Sequence, residues 1–175
     1  WRVPSSVDDP KNAALGLLLQ SYLFSDSSDL WKSVVLEDQL AESVEGWWSP
    51  HKDASLFHVV SIIKDGKSSD EVLSRIQTQL DNVAAGKIND RRFTDVKSNL
   101  KYSLLMGLTS PSAISDVLAE FSGPAVGDKG GGVSFIDGVF GAFNDVGPKE
   151  LQQFAKARFG KDQRAVVVIH HTPTN

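Results

Sequence analysis

Apolar and polar positions change period along this chain, and each change marks an element. From Leu30 onward, Trp31, Val34 and Val35 recur at three and four residues, which puts them on one helical face, and Asp29 is placed to cap that helix. After Ala41 the spacing turns to near alternation, Val44 then Trp48, with Gly46 permitting a bulge or a close backbone approach. A turn containing Pro50 and Asp53 leads into a second apolar stretch, Ala54 to Ile63. The pattern predicts a hairpin of roughly Ser43–Trp48 and Leu56–Ile63. Ala165 to Ile169 is a continuous apolar run, read as a buried strand of the same sheet.

Helical spacing fills most of the remainder. Trp1 to Pro4 reads as a strand end stopped by proline. Asp9-Pro10 opens a helix through Leu17, Leu18 and Tyr22 to about Phe24, followed by the polar loop Ser25 to Asp29. Ser68 with Glu71 forms a capping-box pattern ahead of Val72, Ile76, Leu80 and Val83, and Gly86 ends that helix. Asn89 or Asp90 starts another, carrying Phe93, Val96, Leu100 and Leu104. Ser110-Pro111 opens the next, with Ile114, Val117, Leu118 and Phe121, closed by Gly123. A short helix over Phe135 to Phe143 and a last one from Pro148 to Phe159 complete the series. Pairing by hairpin with helices gathered in the middle argues an α+β fold, a mainly antiparallel sheet packed against several helices.

Composition narrows the function classes. A chain of 175 residues is of single-domain length, so residues 1–175 are read as one domain. The net charge of −4 gives no basic footprint for nucleic acid, and no apolar run approaches the length of a membrane span. Cysteine is absent, which removes disulfides, thiolate nucleophiles and sulfur-rich metal sites together. That is compatible with a bacterial periplasm or envelope and equally with a cytosol. The opening Trp1 and the lack of a signal-peptide pattern read as a processed piece of something longer.

Candidate chemistry is sparse. The four histidines, His51, His58, His170 and His171, include no pair one helical turn apart. His170 and His171 are adjacent and would point to opposite faces of a strand. No G-x-S-x-G elbow accompanies the many serines. Gly127 to Gly132 is rich in glycine but lacks the phosphate-loop order and a strand before it, so it reads as the most mobile loop. Trp47 and Trp48 could stack a ligand, although strand neighbours face opposite ways and one of the two belongs in the core.

Leu40, Ala41, Ser43 and Val44 fit the L-A-x-S-V end of a pattern L-x-x-x-L-x-x-x-x-L-A-x-S-V, with Leu36 close to its second leucine. With the segment order from the opening RVP to the VVVI near the end, the chain resembles the C-terminal region of insulinase/pitrilysin-type zinc peptidases, a family that includes mitochondrial processing peptidase. The resemblance implies a non-catalytic half-domain that forms part of a peptide-binding chamber, whose start is truncated by one or more strands. The family's H-x-x-E-H zinc motif is missing, so no catalytic or metal residue and no cofactor is expected in this chain. Zinc would sit on a catalytic half, in the same parent chain or a partner subunit, and the substrate would be a peptide. The family's substrate-gripping arginine and tyrosine fall on Val35 and Glu42, which match neither; Arg2 or Lys52 could substitute from elsewhere. The alternative the resemblance implies is a structural or assembly subunit of the same fold, as in respiratory-complex core subunits. A stand-alone small-ligand module has no positive feature to support it.

Overall fold

A computed structural model describes residues 1–6, 9–49, 51–107, 110–122 and 133–169. Strand β1, Arg2–Val3, is followed by helix α1, Pro10–Phe24, and by the short helix α2, Asp29–Trp31. A π-helical turn over Lys32–Glu37 carries the chain into β2, Ala41–Trp47. Next come β3, Ser55–Leu56, and β4, His58–Ile63. Helices α3 (Ser69–Ala84), α4 (Asp90–Met106), α5 (Pro111–Ser122), α6 (Val133–Asp145) and α7 (Pro148–Arg158) complete the fold.

Both strand pairings are antiparallel. In the hairpin, Val44 faces Ser61 and Trp47 faces His58, while Arg2 faces Leu56 in the second pair. A bulge at Glu42 shifts the register, since Ala41 faces Ile63 and Ser43 already faces Ile62. The mixed helical and antiparallel architecture is the one the hydrophobic pattern predicts.

Local chemistry sets the ends of the elements. Asp9 accepts a hydrogen bond from the Lys11 amide at 2.9 Å, with Pro10 at the first helical position where its missing donor costs nothing. Asn89 caps α4 through Arg92 N, and Gly86 ends α3 with φ +79°. Two expected caps differ. Ser28, not Asp29, accepts from Trp31 N at 3.0 Å, because the hydroxyl one residue earlier reaches the third helical amide. Ser68 makes no side-chain cap bond, and Glu71 pairs instead with Arg75 one turn on at 2.6 Å.

The core lies between one face of the hairpin and the helices. Val44, Ala41 and Phe57 are buried with Leu18 and Leu19 of α1, Leu80 of α3 and Leu151 of α7, each large apolar side chain contributing roughly 1.5–3 kcal/mol. Phe57 and Phe159 meet edge to face at 5.2 Å, and Phe24 and Phe154 extend that aromatic group. Gly46 lets β2 lie against Phe24, and Gly16 lets α1 lie against the Trp48 ring; a Cβ at either site would collide with those rings.

One expected strand is absent. Residues 165–169 lie outside any helix or strand and are exposed, Val167 by 84% and Ile169 by 90%. A continuous apolar run signals burial on both faces, which requires a strand alongside and cover above; among the described residues neither is supplied. The Gly127–Gly132 loop and the pair His170 and His171 fall outside the described residues.

Candidate functional site

The hairpin has one face against the helices and one face bare. Alternation sends Val44, Gly46, Val59, Ser61 and Ile63 inward and Glu45, Trp47, His58, Val60 and Ile62 outward. Trp47 and Val60 are each 61% exposed and Ile62 55%, whereas Trp48 is 4% exposed beneath the sheet. The Trp47 and His58 rings form a cross-strand pair with centroids 5.6 Å apart. Leu56, also exposed, continues this surface toward Arg2. The result is an apolar, aromatic surface edged by an imidazole, a carboxylate and a guanidinium. Such a surface can hold a chain by contact, and its backbone edges can hold one by ladder hydrogen bonds.

The two positions carried over from the family both sit where the backbone is irregular. Val35 is half-buried in the π-helical turn, and Glu42 is the exposed bulge residue. That turn is closed by the bond from Asp38 N to Ser33 O, at 3.1 Å, and Gln39 then takes φ +50° to enter β2. Arg75 fastens it from α3, donating to Asp38 Oδ2 at 2.6 Å and to Glu71 Oε1 at 2.6 Å. Hydrogen bonds to Asp38 and Glu71 raise the pKa of the Arg75 guanidinium above its ordinary value. Nothing in the sequence signalled that Asp38 completes this clamp, because it lies 37 residues from Arg75.

Arg2 and Lys52 come together. They line a shallow cleft of about 660 Å³ with Arg158, Gln163 and Asp53, at the end of the surface where β1 meets β3. His51 is exposed beside it, its backbone held by Ser6: Ser6 Oγ donates to His51 O at 2.9 Å, and His51 N donates to Ser6 Oγ at 2.8 Å. His58 stands on the bare face, in a different element. Among the described residues no three His, Cys, Asp or Glu gather closely enough to hold a metal ion. The donor set seen here therefore does not fit a catalytic zinc, which needs about three protein ligands and an open position. Among the described residues no helix is long and apolar enough to cross a membrane.

Comparison with known proteins now bears on this geometry. A family model described as peptidase M16 inactive domain matches residues 1–100. No curated protein sequence matches the chain. Among solved structures, a protease from Helicobacter pylori superimposes with a TM-score of 0.80 at 18% identity, over 93% of this chain and 38% of that one. A peptidase M16 inactive domain from Pseudomonas fluorescens gives 0.66 at 14% identity, over 89% of this chain and 36% of that one. Complex III2 from Candida albicans gives 0.66 at 16% identity, covering 89% and 38%. The chain thus spans a little over a third of the length of these three neighbours, and at such identities the likeness shows the fold. With a family model spanning more than half its length, the chain belongs to the peptidase M16 inactive-domain family.

Proposed function

We propose that residues 1–175 are a non-catalytic C-terminal half-domain of a zinc metalloendopeptidase, forming one wall of the chamber that holds a peptide substrate. The observation that carries this is the bare face of the hairpin, where Trp47, Val60 and Ile62 stand exposed opposite a face packed on helices. An exposed apolar and aromatic sheet face of this kind suits holding an extended chain. The zinc would reside on a catalytic half in the same parent chain or a partner subunit, where a metal-bound water would cleave the peptide bond. This chain's own part is to present the outward side chains and the basic cleft of Arg2, Lys52 and Arg158 to the substrate. The cleft stands in for the missing grip at Val35 and Glu42.

The test is reconstitution with the zinc-bearing half encoded in the same or the adjacent gene, assayed on a mixed peptide library. The expected result is cleavage only when both halves are present, with Trp47→Asp and Val60→Asp raising KM about ten-fold and leaving kcat near its original value. Cleavage that is indifferent to this chain would overturn the reading. A second reading, a structural or assembly subunit without peptidase role, is favoured by the unmatched Val35 and Glu42 and by the shared fold with a chain of complex III2. It predicts a stable complex with a partner and no cleavage by the reconstituted pair.

A further inference from the structure

Arg2, Lys52 and Arg158 come from three separate parts of the chain and line one cleft of about 660 Å³, where Asp53 is the single carboxylate among the lining residues. Three cations against one carboxylate run counter to a chain whose net charge is −4. Among the described residues Arg2, Asp53 and Arg158 take part in no ion pair. Asp53 therefore neutralises neither guanidinium, and both keep their donors for a ligand.

The walls of this cleft are tied to one another. Ser6 Oγ and the His51 backbone exchange two hydrogen bonds, which holds the turn carrying Lys52 beside the segment after β1. Trp1 Nε1 donates to Gly160 O at 3.3 Å, and Gln163 N donates to the same carbonyl at 3.0 Å, which draws the segment after α7 against β1. The Trp1 and Phe159 rings pack at 5.8 Å between centroids. Cations gathered by a braced backbone repel one another, and a bound anion relieves that repulsion. The cleft also opens onto the bare face. Arg2 faces Leu56, and the outward side chains then run through His58 to Val60, which is about 13 Å further along an extended strand.

We propose that this cleft is a carboxylate-binding site for an acidic peptide segment, and that it anchors a peptide whose apolar part lies over Val60 and Trp47. The proposal rests on the peptide-holding reading above and adds the charge pattern of the substrate. Guanidinium groups meet carboxylates through paired, charge-assisted hydrogen bonds, so Arg2 and Arg158 suit two acidic side chains. Two carboxylates also match the excess of cations over Asp53. The volume is that of a ligand pocket and larger than a lone inorganic anion fills. An extended peptide sends alternate side chains to one side, so the two acidic residues are spaced by one, and an apolar residue precedes or follows them by about four.

The probe is an acetylated, amidated Phe-Thr-Val-Thr-Glu-Thr-Glu peptide, whose only charges are the two glutamates; the tighter of this and its reversed sequence is compared with its Gln counterpart. Binding to residues 1–175 is measured by calorimetry and located from the NMR amide signals of Arg2 and Ala54 and the indole signal of Trp47. The expected result is binding about ten-fold tighter for the Glu peptide, with all three signals moving, and a preference that falls below about two-fold as salt rises from about 50 mM to about 500 mM. Arg2→Glu combined with Arg158→Glu changes two exposed side chains, leaves Tm unchanged and reverses the preference toward a Lys counterpart. Equal binding of the Glu and Gln peptides, or no reversal in a double variant of unchanged Tm, would sink the proposal. So would displacement of the Glu peptide by inorganic phosphate at equal concentration, because the cleft would then take any anion. Cleavage by the reconstituted pair that needs this chain but ignores the acidic residues counts against this site and leaves the chamber reading standing. A ten-fold Glu preference alongside cleavage indifferent to this chain supports the site and removes the chamber.

Discussion

His58–Ile63 and residues 165–169 are two runs of β-branched side chains of similar length with opposite fates. The first pairs with β2, sends Val59 and Ile63 against the core and leaves Val60 and Ile62 open. The second joins no strand and exposes every one of its five side chains. Side-chain preference is nearly the same in both, so it does not decide between them. Backbone partners do: β4 has β2 within a short connection, and the later run faces a cleft. What anchors the later run stops just before it. Gln77, buried in α3, donates to Phe159 O at 2.9 Å and accepts from Arg164 Nη1 at 2.7 Å, and among the described residues the ordered contacts of the chain thin out from there.

The contrast can be broken by placing the same charge in each region. Val44→Asp puts a carboxylate at the fully buried Val44 position on the inward face of the hairpin and should cost about 3–5 kcal/mol, seen as a collapse in the urea midpoint. A value near that of an exposed site would refute the assigned inward face. Gln77→Ala removes the tether ahead of the second run and should cost about 1–3 kcal/mol, with faster amide exchange beginning near Arg164 and no change in β4. Glu150, whose carboxylate accepts from Gly147 N at 2.9 Å, supports the start of α7, the helix that delivers the run. Its pKa is lowered by backbone hydrogen bonds from its own amide and that of Gly147. The stabilisation is therefore complete above the unfolded carboxyl pKa and is lost as pH falls through the folded one. Glu150→Gln should accordingly cost about 0.5–1 kcal/mol at pH 7, a difference that shrinks below about pH 4.5 in parallel melts. Smallest is Val167→Asp, within about 0.5 kcal/mol of the parent, since the side chain already faces solvent.

Much of this fold was legible because its signals are local. Asp9-Pro10, Asn89 and Pro148 each sit at a helix start where their own chemistry acts within three residues. The hairpin was legible from alternation, and Gly46 marked the close approach to Phe24. What escaped depends on partners distant in sequence. Glu71 had two neighbours to choose between, the Ser68 backbone and Arg75, and the guanidinium with Asp38 behind it prevailed. The apolar run near the end carried a strand signal without saying whether a neighbour existed. The bare face of the hairpin follows from counting in twos, yet its partner Arg2 and the basic cleft appear only once β1 is laid against β3.

The pairing of β1 with β3 has a consequence for the order in which the molecule assembles. The hairpin closes a loop of about ten residues, and β1 joins β3 across about fifty. Loop entropy alone makes the second closure roughly 1.5 kcal/mol more costly, before any contact repays it. Its two-residue ladder and the Ser6 clamp on His51 return little until α1 and the aromatic group around Phe57 are in place. The hairpin is thus expected to form early, while the amino-terminal strand docks late and is the first part to come undone.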